Sequence, residues 1–103
     1  MSRSRIQGHF TYMTSQLIQF AYFNGYYLTY ADAYAKGGHK RGSFHYKRLA
    51  VDFNLFNAKT NQRLIHTRDY EPLGVFWESI GGTWGGRFTN IEGGDGNHFS
   101  LGE

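Results

Sequence analysis

The chain has 103 residues, 40% hydrophobic, 18% aromatic and 18% charged, with a formal net charge of +3 and no cysteine. That length predicts a single domain over residues 1–103 with a thin core. The composition argues against disorder, and the lack of cysteine excludes disulfides and thiolate-held metal, leaving His, Asp and Glu as metal ligands. No apolar run approaches the ~20 residues of a membrane span. Met1-Ser2-Arg3-Ser4-Arg5 is not followed by the apolar segment of a secretory signal.

Residues 4–24 predict an amphipathic helix. Ile6, Phe10, Met13, Leu17 and Phe20/Ala21 recur at helical spacing on one face, with Gln7, Thr14, Ser15 and Gln19 opposite. Asn24-Gly25 supplies the stop. His9 on this helix reads as a surface residue. Tyr26–Tyr34 predicts a strand and Ala35–Gly42 a loop of three glycines and three cations. The loop lacks the spacing of a nucleotide-binding phosphate loop.

Arg48–Phe56 alternates cleanly. Leu49, Val51, Phe53 and Leu55 face a core, whereas Asp52 points away, beside the small Ala50. Asn57–Asn61 predicts a polar turn and Arg63–His66 a short returning strand. Asp69–Ile80 predicts a second helix, with Asp69 as N-cap, Pro72 in the first turn, and Leu73, Phe76, Trp77 and Ile80 as its buried stripe. Gly81-Gly82 ends it. Trp84–Phe88 predicts a strand, Ile91–Gly96 a glycine loop and His98–Leu101 a last strand. This order gives an α+β domain, two helices packed on a mostly antiparallel sheet.

His45, Asp52 and His98 are the set that carries chemistry. Two imidazoles and a carboxylate bind zinc and leave a fourth position open, the catalytic arrangement. Asp95, three residues before His98, is placed to act as acid and base. Five His and eight acidic residues in a short chain yield such a set by chance often enough that spacing alone leaves it open. Trp84, between glycines, lines a substrate cleft or belongs to the core. His39 is a substrate-contact candidate or a solvated loop residue. The aromatics follow core periodicities, so nucleic-acid stacking is not expected.

Ser43-x-His45, Ala50-x-Asp52 and the later Asp95-x-x-His98 resemble the two signature blocks of VanY-type D-Ala-D-Ala carboxypeptidases and phage L-alanyl-D-glutamate endolysins. The first block of that family is similar to Ser-x-His-x-x-Gly-x-Ala-x-Asp; here the Gly slot is Arg48. The resemblance covers roughly residues 10–101. It implies a hedgehog/DD-peptidase-like fold with Zn2+ held by His45, Asp52 and His98. It also implies Asp95 as general base and then acid, and Ser43 as support for His45. A cation in the 36–41 loop (Lys36, Lys40 or Arg41) would steady the oxyanion. The expected substrate is the peptide of bacterial peptidoglycan, and the expected protein a monomer without membrane insertion or nucleic-acid partner. It would wait in a host cytoplasm before lysis. A D-Ala-D-Ala carboxypeptidase and a non-catalytic, zinc-dependent wall-binding relative are the alternatives.

Overall fold

A computed structural model describes residues 2–32 and 48–102 of the chain. Its first helix, α1 (Arg3–Phe23), starts where Ser2 Oγ accepts the Arg5 N–H, and ends at Asn24 with Gly25 in the left-handed region at φ 86°. Phe10, Met13, Leu17 and Ala21 are buried as the spacing predicts. Thr14, expected on the polar face, is buried as well. Its hydroxyl donates to the Phe10 carbonyl one turn back, which removes the cost of hiding it.

Among the described residues five strands form one antiparallel sheet: β1 (Tyr26–Asp32), β2 (Ala50–Asn57), β3 (Arg63–Leu64), β4 (Thr83–Trp84) and β5 (His98–Ser100). β2 is the centre. One edge pairs with β1; the other pairs with β5 along its first half and with β3 along its second. The order is β1-β2-β5-β4, with β3 beside β2. Val51, Phe53 and Leu55 are buried and Asp52, Asn54 and Phe56 half-buried on the opposite face, the alternation expected of a strand with one core side. An Asn57 side chain that accepts the N–H groups of Lys59 and Thr60 closes the β2–β3 turn, with Asn61 at φ 62°.

The second helix differs from expectation at its start. A 3-10 turn (Thr67–Tyr70) precedes α2 (Glu71–Ser79), and Asp69 caps that turn by accepting the His66 N–H, rather than capping α2. Leu73 and Trp77 are buried, Phe76 and Ile80 half-buried, and Gly74 shares the buried face. The predicted strand at 84–88 stops after Trp84; Gly85–Arg87 is a 3-10 turn. β3 is also shorter than the expected Arg63–His66.

Phe99 joins the layers. Its ring lies 5.9 Å from Trp77, 6.2 Å from Phe53 and 6.5 Å from Tyr70, and Trp77 in turn meets Phe10 of α1 edge-on at 5.8 Å. Trp77 Nε1 donates to the Ser100 carbonyl at 2.9 Å, tying α2 to β5. No helix of the described residues is long and apolar enough to cross a membrane.

Arg48, just before β2, has φ 58°. An L-residue with a Cβ pays roughly 1–2 kcal/mol in this left-handed region, where Gly does not. The slot that holds Gly in the resembling block is therefore one whose backbone calls for Gly. Truncating Arg48 to Ala and to Gly removes the same side-chain contacts, so the difference between the two isolates the backbone. Thermal unfolding should find Arg48→Gly more stable than Arg48→Ala by about 1 kcal/mol. Equal stability would show that the slot carries no such strain.

Candidate metal centre and cleft

The β2–β5 register sets Asp52 directly opposite His98, 46 residues later in the chain. Side chains opposite one another across an antiparallel pair emerge on the same face. His98 Nδ1 and Asp52 Oδ1 are accordingly 3.1 Å apart, with the two side chains only 7% and 16% exposed. The Phe88 ring, 5.5 Å from the imidazole centroid, shields it further.

This pair fits a zinc ion. Two donors about 2.0–2.2 Å from a tetrahedral centre stand roughly 3.3–3.6 Å apart, a few tenths of an ångström beyond the observed spacing, and imidazole nitrogen with carboxylate oxygen is a zinc donor set. Among the described residues no three metal-binding side chains come together. The third ligand expected, His45, lies outside the described residues, as do Ser43, Lys36, His39, Lys40 and Arg41.

Asp95 is on the turn that leads into β5. The His98 N–H donates to the Asp95 carbonyl at 3.1 Å, closing a tight turn through Gly96 and Asn97, so the expected acid/base and the expected ligand ride on one rigid unit. Among the described residues, four contacts from separate elements help to fix it. The Asp95 N–H donates to Gly85 O at 2.8 Å, the Phe53 N–H donates to Asn97 O at 3.0 Å, and Trp84 Nε1 donates to Gly96 O at 2.8 Å. The fourth is steric: a Cβ on Gly96 would come within 2.6 Å of Thr67 Cα, so only Gly lets the turn lie this close to the 3-10 segment.

Trp84 therefore does not line a cleft. It is 2% exposed and wedged beneath the turn. Its indole rests against Gly74 of α2 on one side and Gly86 on another, where added Cβ atoms would fall 2.1 and 2.2 Å from ring carbons. The Arg87 guanidinium stands 5.0 Å from the ring centroid and is itself held to Glu78 by two hydrogen bonds of 3.0 and 3.1 Å. That bidentate pairing lowers the Glu78 carboxyl below its ordinary range.

Beside the turn a polar cleft of about 240 Å³ runs along the Asp52 face of β2, lined by Asn54, Arg63, Thr67, Tyr70, Asp95 and Asn97 among others. The Tyr70 hydroxyl donates to Phe53 O at 2.8 Å, and burial pushes its pKa up to about 12, against the partial pull of Arg63. Tyr70 is thus a neutral donor at the cleft wall. Asn54 was recognisable from strand alternation, being two residues beyond Asp52; Arg63, Thr67 and Tyr70 were not, because only the β2–β3 turn brings them there.

A family model described as D-alanyl-D-alanine carboxypeptidase matches residues 37–101, more than half of the chain. The chain belongs to this peptidase family. The match spans both blocks and all of the cleft just described. No curated protein matches the chain.

Trp84→Phe keeps most of the buried ring but deletes the donor to Gly96 O, leaving a buried carbonyl without it at about 1–3 kcal/mol. Thermal unfolding should show that loss, and hydrogen exchange should show earlier opening of the Asp95 amide than of β1 amides. Uniform protection across the chain would contradict a local clamp.

Proposed function

We propose that this member of the peptidase family is a zinc-dependent hydrolase of the peptide stems of bacterial cell wall, of phage endolysin type. The observation that carries the reading is the part-buried Asp52–His98 pair at 3.1 Å, joined to Asp95 by a four-residue turn. Zinc, when bound, supplies Lewis acidity that polarises the scissile carbonyl and makes water a nucleophile near neutral pH.

The residues divide the remaining work. Asp52 and His98 would hold the ion, with His45 as third ligand and Ser43 orienting that imidazole. The half-exposed Asp95 takes a proton from the attacking water and returns it to the departing amine. A cation from Lys36, Lys40 or Arg41 balances the charge that develops on the carbonyl oxygen. The near-complete burial of His98 raises the local strength of these interactions by excluding bulk water. Before lysis the protein would be held in the host cytoplasm. A second reading, cleavage of the terminal D-Ala-D-Ala bond, is favoured by the description of the matched family.

Mass spectrometry of Gram-negative muropeptides incubated with the zinc-loaded protein, against a chelated control, tests both. A chelator-sensitive cut between L-Ala and D-Glu supports the endolysin reading, and loss of the terminal D-Ala alone supports the carboxypeptidase. Asp95→Asn should lower the cleavage rate by about 10²–10⁴-fold while zinc stays bound, the scale of a lost general base. Intact muropeptides in the presence of bound zinc would overturn the enzymatic reading.

A further inference from the structure

Among the described residues that line the cleft beside the Asp95 turn there is one cation, Arg63. The β2–β3 register sets Arg63 opposite Phe56, so Arg63 emerges on the face that carries Asp52 and Asn54. Its Nη2 donates to Asn54 Oδ1 at 2.9 Å, and Asn54 Nδ2 in turn donates to Thr29 Oγ1 at 3.2 Å. The chain Thr29–Asn54–Arg63 fixes the amide with its oxygen toward the guanidinium and aims one edge of that fork. Among the described residues no carboxylate pairs with Arg63, which remains exposed to solvent on the cleft side.

We propose that Arg63 is a substrate carboxylate subsite, held in place by Asn54. This deepens the peptidase reading and rests on it. A guanidinium with N–H groups left over after its bond to Asn54 matches the two oxygens of a carboxylate. Among the described cleft-lining residues Arg63 is the one cation and Asp95 the one acid, so on these walls the guanidinium is the group that would receive an anion. Asn54 lies two positions beyond Asp52, roughly 6.6 Å along the strand. A carboxylate on Arg63 would therefore sit on the Asn54 side of the Asp52–His98 pair. Tyr70, neutral and bonded to Phe53 O, adds no competing charge.

Two carboxylates in a wall peptide have this chemistry, the C-terminal one and the free α-carboxylate of a γ-linked D-Glu. Zinc-loaded protein would be assayed on N-acetyl-L-Ala-γ-D-Glu-L-Lys-D-Ala-D-Ala, on the same peptide with the C-terminus amidated, and on the same peptide with the D-Glu α-carboxylate amidated. One amidated form should be cut with kcat/KM about tenfold lower, mainly through KM, and which one it is identifies the source of the carboxylate. Arg63→Gln should lower the rate on the acid substrate by about tenfold more than on that amide, and Arg63→Lys should fall between. Equal cleavage of all three peptides by the wild type overturns the subsite while the peptidase reading stands, and this comparison needs no variant to fold. An equal loss on every peptide in Arg63→Gln, with unchanged unfolding, also overturns it. Cleavage of none of them overturns the peptidase reading and the subsite together.

Discussion

The pairing of β2 with β5 is the constraint on which the rest depends. Only three residue pairs define it, yet one of them sets Asp52 against His98. A slip of one residue would turn every side chain of β5 to the other face, taking His98 into the core and Phe99 out of it. The core prevents that slip. Phe99 is wholly buried among Trp77, Phe53 and Tyr70, and the Ser100 carbonyl is taken by Trp77 Nε1. Hydrophobic packing on one face of a short strand thus holds the geometry of the polar pair on the other.

The approach to β5 is held by a different means. The Asp95–His98 turn has little apolar surface of its own, and its position comes from backbone hydrogen bonds and from glycines at contacts too close for a side chain. Gly74 and Gly86 admit the Trp84 indole, Gly85 and Gly96 admit the turn, and Trp84 closes the assembly by donating to Gly96 O. Gly94, at φ 74° and packed on the Gly86 carbonyl, continues the same close approach. The abundance of glycine near the end of the chain is therefore a packing feature that serves the placement of Asp95 and His98, and the intervening loop does not need flexibility to bring them together.

The parts of this arrangement that follow local periodicity were legible in the sequence. The α1 stripe from Phe10 to Ala21 obeys helical spacing, and the alternation of Val51, Asp52, Phe53 and Asn54 assigns Asp52 to the polar face before any fold is known. The α+β class followed from the order of these elements. What was hidden depends on contacts distant in sequence. Trp84 read equally as cleft or core, because the glycines that receive it are ten residues before it in α2 and two after it. The Gly85–Arg87 turn interrupts a run that its composition allowed as strand, since the backbone must bend there to accept the Asp95 amide. Arg63 carried no motif, and its relevance comes from the hairpin register that carries it onto the Asp52 face. The resembling blocks supplied the proposed roles of Asp52, Asp95 and His98; spacing alone did not distinguish them from chance.

Asp52 and His98, set opposite one another by the β2–β5 register, are proposed as two ligands of one zinc ion. Crystals of the zinc-loaded protein, measured on both sides of the zinc absorption edge, test this most directly. An anomalous peak is expected about 2.0–2.2 Å from both His98 Nδ1 and Asp52 Oδ1, with His45 completing the protein ligands. A zinc peak bound elsewhere, with the Asp52–His98 pair in direct contact as a plain hydrogen bond, would contradict it.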